Sequence, residues 1–430
     1  MGTFTGVSQD RFYLQKNKKS HSMPFNFVNN LIVIPVEING KELSFILDTG
    51  IDKSILFNLN ITDSIEFNNV EQIKLFGLGE GSSITALKSK KNRVRIGNIY
   101  NYDHLVYIIL DEQFDLSSKM GIDIHGIIGG ELFNNFIVEI NYSNKKLEFH
   151  DPERYSYKKC KGCETFPLEF YKNKPYINAQ VTIDNDNAID VKLLIDSGGG
   201  DALWLFKESN PNISIPIKYF DDFLGKGLSG NIFGKRSKVD AFSIGNFTFE
   251  NATVSFPDSL SIITAHQNKN RNGTLGAEIL KRFNVVFDYQ NQLITLKKNK
   301  RMFNKPFLYN KSGIELIHGG DMLISEKKGI VIPNNYNEDN NSAFTKVLYT
   351  YSLAYKPSYE ISLIRKDSPA LYAGLKEGDI ILEINGKPAY EKRMEEIIHT
   401  FSSKEGKKIK MKIERNGNTM YFEFELKNLL

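Results

Sequence analysis

Short apolar runs separated by glycine and asparagine turns predict a chain built mostly of β-strands. Phe45-Ile46-Leu47 and Leu193-Leu194-Ile195 are unbroken apolar stretches, and each stops at Asp-Thr-Gly or Asp-Ser-Gly. That is the pattern of a buried strand ending in a tight turn. Phe136-Ile137-Val138-Glu139-Ile140 and Phe283-Asn284-Val285-Val286-Phe287-Asp288 alternate instead, and each is followed by a polar turn and a closing strand. Ile96-Gly97-Asn98 and Ile244-Gly245-Asn246 read as turns between two strands. The last third has another rhythm. From Asp367 to Lys387 the pattern is a short helix, a Gly-Asp turn at Gly378-Asp379, an apolar strand and an Asn-Gly hairpin at Asn385-Gly386.

The landmarks of the first 300 residues recur at a fixed spacing. Asp48-Thr49-Gly50 returns 148 residues later as Asp196-Ser197-Gly198, Phe76-Gly77-Leu78-Gly79 as Leu224-Gly225-Lys226-Gly227, and Ile96-Gly97-Asn98 as Ile244-Gly245-Asn246. Gly126-Ile127-Ile128-Gly129-Gly130-Glu131-Leu132-Phe133 is echoed by Gly273-Thr274-Leu275-Gly276-Ala277-Glu278-Ile279-Leu280, a residue closer. A period this long implies a duplicated domain rather than a solenoid. One active site made from two halves follows, with a carboxylate at a strand end in each.

Two carboxyl groups held together cannot both ionise cheaply, so the pair keeps one proton over a wide pH range and is base and acid at once. The ionised member can deprotonate a water while the protonated member polarises a carbonyl, which is peptide hydrolysis without metal or covalent intermediate. Asp48 and Asp196 are the candidates. Gly50 and Gly198 permit a close turn. Thr49 and Ser197, if buried, require partners and can supply cross-links between the two loops.

Composition changes this picture little. The 430 residues are 41% hydrophobic and 25% charged, with a net charge of +4, which suits a globular protein of two to four domains and gives no reason to expect nucleic-acid binding. No apolar run approaches the ~20 residues of a membrane helix. The opening Met1-Gly2-Thr3-Phe4-Thr5-Gly6 lacks the charged and apolar regions of a secretory signal, so the expectation is a cytoplasmic protein, or a periplasmic or secreted one whose signal has been removed. Cys160 and Cys163 are the only cysteines, too few for a zinc site; a local disulfide or free thiols remain open. The seven histidines form no pair at metal-ligand spacing. Trp204 lies near enough to Asp196 in sequence to line a substrate pocket.

Over most of residues 25 to 300 these motifs resemble the aspartic peptidases of the pepsin and retropepsin type. The resemblance implies a two-lobed β-barrel pseudo-dimer with Asp48 and Asp196 as the catalytic dyad and no cofactor. Ile127-Ile128-Gly129 and Thr274-Leu275-Gly276 look like the apolar-apolar-Gly elements that support each loop, through Gly129 and Gly276. The second half is similar to pepsin, whereas Asp52, two places after Gly50, is retropepsin-like. Gly77, Gly79 and Gly81 fit the flap that covers bound peptide, and Gly225, Gly227 and Gly230 suggest a second flap. Gly199-Gly200 after the second motif, the lack of Tyr in the first Gly-rich stretch, and Thr274 in place of an apolar residue depart from the pattern.

The segment from Asp367 to Lys387 resembles bacterial PDZ domains, an α+β fold that adds an extended peptide to a sheet edge and captures its terminal carboxylate. Gly313, Ile314 and Leu316, within Ser312-Gly313-Ile314-Glu315-Leu316, look like its peptide-binding loop. Together the parts are similar to bacterial aspartyl proteases that end in a PDZ domain. The expected division is an N-terminal segment (1–24), lobe 1 (25–152), lobe 2 (153–305) and a PDZ-like domain (306–430). A solvated Asn-rich insertion is expected near 320–355, around Pro333 to Asn341. The implied function is an aspartic endopeptidase, active as a monomer, that takes peptide or protein substrates. The alternative is a catalytically inactive relative that binds peptides; a scaffold in which only the PDZ module matters would leave Asp48 and Asp196 far apart.

Overall fold

The computed structural model describes residues 10–59, 64–81, 83–111, 114–157, 159–184, 187–332 and 346–430. They form two compact units, residues 1–311 with 427–430, and residues 312–426. The Asn-rich stretch Pro333 to Asn341 lies outside the described residues.

The first unit is built twice on one plan. In lobe 1 the strands Leu31–Ile38 and Lys41–Leu47 form a hairpin closed by Asn39-Gly40, both with positive φ (49° and 92°), the backbone of a two-residue turn matched to strand twist. Lys41–Leu47 ends at Asp48 and runs parallel to Gly126–Ile128, which also pairs antiparallel with Ser54–Leu56. Lobe 2 repeats this: Lys174–Thr182 pairs with Ile189–Asp196, which runs parallel to Gly273–Gly276, itself paired with Leu203–Leu205. Each half also carries a long hairpin turning at the Ile-Gly-Asn landmark, Ile84–Ile96 with Ile99–Ile109 and Gly230–Ile244 with Phe247–Pro257.

The alternating segments join the halves. Ile137–Asn141 pairs with Phe283–Asp288 at the centre of a six-stranded sheet that takes three strands from lobe 2, two from lobe 1 and one, Ser20–Pro24, from the N-terminal segment. The inward residues Val138, Ile140, Val285 and Phe287 are buried in an apolar core continuous through both lobes, where Phe133 meets Phe287 edge-to-face at 5.3 Å. Joining two half-cores buries more apolar surface than either lobe could alone, and it fixes the lobes relative to each other. Cys160 and Cys163 form a disulfide in the connection between them.

In the second unit the strands Ile314–Ile332, Lys346–Ile364, Ile380–Ile384, Lys408–Arg415 and Asn418–Glu425 follow one another in a sheet. The helices Pro369–Tyr372 and Met394–Phe401 accompany it. Ser368 caps the first helix, accepting from the Leu371 N–H, and Pro369 occupies its first turn, where the missing N–H costs nothing. Asp379 of the Gly-Asp turn is fully buried and held at both oxygens by Arg415 (2.6 and 2.7 Å). Within the span 320–355 of the expected insertion, Asp321–Ile332 pairs with Lys346–Pro357 in a two-stranded ribbon. Its period-two alternation, as in Ser352-Leu353-Ala354-Tyr355, was masked by the asparagine-rich composition between the strands.

Candidate active site

Asp48 and Asp196 stand side by side, each at the end of the strand that leads into its glycine turn. The Gly50 N–H donates to Asp48 Oδ1 (2.6 Å) and the Gly198 N–H to Asp196 Oδ1 (2.9 Å). The loops interpenetrate: a Cβ on Gly198 would lie 2.3 Å from the Asp48 carboxyl carbon, and one on Gly50 would lie 2.8 Å from that of Asp196. Only glycine allows this approach.

Thr49 and Ser197, both fully buried, cross-link the loops reciprocally. Thr49 Oγ1 donates to the Ile195 carbonyl (2.8 Å) and accepts from the Ser197 N–H (3.0 Å); Ser197 Oγ donates to the Leu47 carbonyl (2.8 Å) and accepts from the Thr49 N–H (3.0 Å). Four hydrogen bonds with no water between them lock one turn to the other. Gly129 and Gly276 pass directly behind: a Cβ on Gly129 would stand 1.8 Å from the Asp48 carbonyl oxygen, and one on Gly276 would stand 2.2 Å from that of Asp201.

Burial, and next the charge of Asp196, raise the Asp48 pKa well above the ordinary carboxylate value, as expected where two carboxyls share one proton. The two carboxyls are also hydrogen-bonded to each other.

The Gly-rich segments meet tip to tip. Ser229 is the joint: its Oγ accepts from the Gly77 N–H (3.1 Å), its N–H donates to the Leu78 carbonyl (2.9 Å), and its carbonyl accepts from the Gly81 N–H (2.6 Å). The Gly79 N–H donates to the Ser261 carbonyl (2.9 Å). Side chains at Gly227 and Gly81 would collide with backbone oxygens of the opposite segment, at 2.1 and 2.2 Å. Gly225 has open space around it and a φ of 149°, and sits at a bulge between Phe223 and Gly225; Gly230 has a φ of 119°. The leucines are exchanged. Leu78 of lobe 1 packs with Trp204 on Phe206, Ile262 and Ala265 of lobe 2, while Leu228 packs on the lobe 1 cluster containing Ile55, Phe57 and Phe114.

Sequence reasoning missed Ser229 and Ser261, and it missed the partly buried Arg236, which bonds Asp201 (3.0 Å) and Asp222 (2.7 Å) and so ties the second Gly-rich hairpin to the segment after Asp196. Asp201 also accepts from Trp204 Nε1 (2.8 Å). Their signal in the sequence is faint, since charges 14 and 35 residues apart reveal nothing until the hairpin folds back.

Two clusters gather potential metal ligands, Asp10, His104 and Glu131, and Glu139, Glu148 and His150. The first is a hydrogen-bond network: His104 meets Asp10 through Nδ1 (3.0 Å) and Ser54 through Nε2 (2.8 Å), and Ser54 donates to Glu131 (3.1 Å). Neither cluster is at the dyad.

In the second unit Gly313 has a φ of 82°, and a Cβ there would lie 2.2 Å from Ser368 Cβ. The strand Ile314–Ile332 is the sheet's edge, paired only with Lys346–Ile364 among the described strands, and the helix Met394–Phe401 lies beside it. Ile314 and Leu316 are buried in that unit's core, so their side chains are structural and only backbone at this edge can meet a peptide.

Residues 34–132, from within the strand Leu31–Ile38 to the helix Gly130–Asn135, match the aspartyl protease family model. This region is an aspartyl protease domain. Residues 360–415 match the PDZ domain model, so the protease region is followed by a C-terminal PDZ domain. No curated protein matches the chain.

Proposed function

We propose that the protein is an aspartic endopeptidase in which Asp48 and Asp196 activate water between them. The observation that carries the reading is the interlocked pair of loops, each with its carboxyl against the other's glycine. With its raised pKa, Asp48 supplies the proton to the scissile carbonyl, and Asp196 accepts one from the attacking water; as the resulting gem-diol collapses, Asp196 protonates the leaving amine and Asp48 takes back a proton from a gem-diol hydroxyl, which restores the dyad. Both loops belong to one chain, so a monomer suffices. Peptide lies under the Gly-rich segments, which part at Ser229 to admit it. The PDZ domain binds a peptide end along the edge strand Ile314–Ile332 and raises the local concentration of substrate or partner through its covalent tether.

The test is cleavage of a diverse peptide mixture from acid to neutral pH, with Asp48→Asn and Asp196→Asn variants checked for folding. Loss of cleavage in both supports a shared dyad. No cleavage by the parent at any pH, with peptide binding intact, would sink the peptidase reading.

A further inference from the structure

The duplication allows the two walls of the cleft to be compared position by position. Val33 pairs with Ile46, two residues before Asp48, and Tyr176 pairs with Leu194, two residues before Asp196, so Tyr176 is the counterpart of Val33 and Lys174 that of Leu31. The His125 N–H donates to the Ser44 carbonyl and its own carbonyl accepts from Phe57; the Asn272 N–H donates to the Lys192 carbonyl and its own carbonyl accepts from Phe206, all at 2.8 Å. Arg271 is therefore the counterpart of Ile124, and Thr274 that of Ile127. In lobe 1 these places hold Leu31, Val33, Ile124 and Ile127, one apolar cluster. In lobe 2 they hold Lys174, Tyr176, Arg271 and Thr274.

Arg271 is only 7% exposed, and its partners are neutral: Nε donates to the Gly273 carbonyl (3.0 Å), Nη2 to Thr274 Oγ1 (2.6 Å), and the guanidinium lies 5.0 Å from the centre of the Phe206 ring. Lys174 is partly buried. Among the described residues neither cation has a carboxylate within ion-pair distance (4.0 Å). Burial lowers the pKa of both; the acidic groups that oppose it are Asp48, Asp196 and Asp52 for Lys174, and Tyr176 and Asp196 for Arg271. Asp52 already accepts from Asn173 Nδ2 (3.1 Å). A buried cation without a counter-ion is costly. A dyad sharing one proton offers a single negative charge to two cations, and Asp52 is shared with Lys53 (3.9 Å), so neither cation has a carboxylate of its own.

We propose that Lys174 and Arg271 form a subsite for an acidic side chain on one side of the scissile bond, facing an apolar subsite on the lobe 1 side. The inference rests on the peptidase reading and names its substrates: peptides with Asp or Glu on one flank of the cleaved bond and a leucine-sized apolar residue on the other. The ring of Phe206 is shared between Arg271 and the Leu78 cluster, so the Gly-rich segment of lobe 1 roofs this subsite when closed.

The experiment uses the full chain and matched peptides with Leu-Glu, Glu-Leu, Leu-Gln and Gln-Leu at the centre. For one orientation, kcat/KM for Glu is expected to exceed that for Gln by about tenfold or more, the scale of one charge-assisted hydrogen bond. In Arg271→Ile with Lys174→Leu, which installs the lobe 1 residues, the ratio is expected to fall to about one. A ratio of one in the parent, or a preference unchanged in the double variant, overturns the proposal. If the double variant does not fold, Lys174→Leu alone, at a partly exposed strand start, must still reduce the ratio. If the parent cleaves nothing, the peptidase reading fails, and the subsite is judged by binding of the same peptides to the parent. Tighter binding of Glu than Gln then supports it, and equal affinity overturns it.

Discussion

Leu31, Val33, Ile124 and Ile127 form one apolar cluster in lobe 1, whereas lobe 2 places Lys174, Tyr176, Arg271 and Thr274 at the same backbone positions. The loops that carry the two acids differ far less: Thr49 and Ser197 make the same four bonds, and Gly129 and Gly276 both pass hard against backbone. Behind the loops the lobes diverge again. Glu131 is held by Lys53 and Ser54, beside His104, while Glu278 is held by Asn30, Lys281 and the fully buried Arg282. The difference shows which positions a pseudo-twofold site constrains. Where each half is the other's partner, both must keep a small residue or a hydroxyl; where a half faces substrate or its own lobe, it is free to change.

The sharpest way to break this comparison is at the carboxylates. Asp48→Asn and Asp196→Asn are each expected to lower kcat by roughly 10²–10⁴-fold, because either loss removes half of one acid–base device. A variant that retained near-parental turnover with its fold intact, measured on the peptide mixture, would show that the halves do not act together.

The next effect lies behind lobe 2. Arg282 donates to the carbonyls of Met302, Phe303 and Lys305 as well as to Glu278, and its guanidinium lies 3.6 Å from the centre of the Phe307 ring. Arg282→Ala is expected to cost about 3–5 kcal/mol, since buried acceptors lose their donor. Lys53→Ala in lobe 1, where the cation is more exposed, is expected to cost under about 1 kcal/mol. Urea unfolding of both measures the asymmetry.

Symmetry is expected to return at the cross-link. Thr49→Val and Ser197→Ala each strand one buried N–H and one buried carbonyl, a loss of about 1–3 kcal/mol in either lobe. Unfolding midpoints that differ widely between the two would contradict a reciprocal lock.

The smallest effect is a slope. Because the folded pKa of Asp48 is raised by burial, the folded state binds a proton that the unfolded chain has released above about pH 4. That contribution to stability is fully present below the unfolded pKa and is lost as pH rises through the folded one. Asp48→Asn is expected to flatten the decline, read as ΔG of unfolding against pH.

The loops were legible in the sequence because their constraints are local. A strand, an acid, a hydroxyl and a glycine are adjacent residues, and their recurrence at constant spacing announced two halves. The Gly-rich segments were equally visible. Ser229, the residue that joins them, was not, because its three partners come from the other half of the chain. Gly313 is where a glycine is needed, yet Ile314 and Leu316 turn into the core, which a strand's alternation alone could not decide. The ribbon Asp321–Ile332 with Lys346–Pro357 was hidden by the polar composition around it.

By itself the sequence determined the mostly β character, the duplication, the paired acids and the C-terminal module, since each is written in residues close enough to constrain one another through backbone conformation. Only the tertiary structure decided that Leu78 and Leu228 change sides, that Arg236 reaches Asp201, and that Lys174 and Arg271 stand unpaired by the dyad. The physical reason is that burial and charge are properties of neighbourhoods. A lysine beside a proline at Lys174-Pro175 looks like any exposed strand start until two other segments close around it.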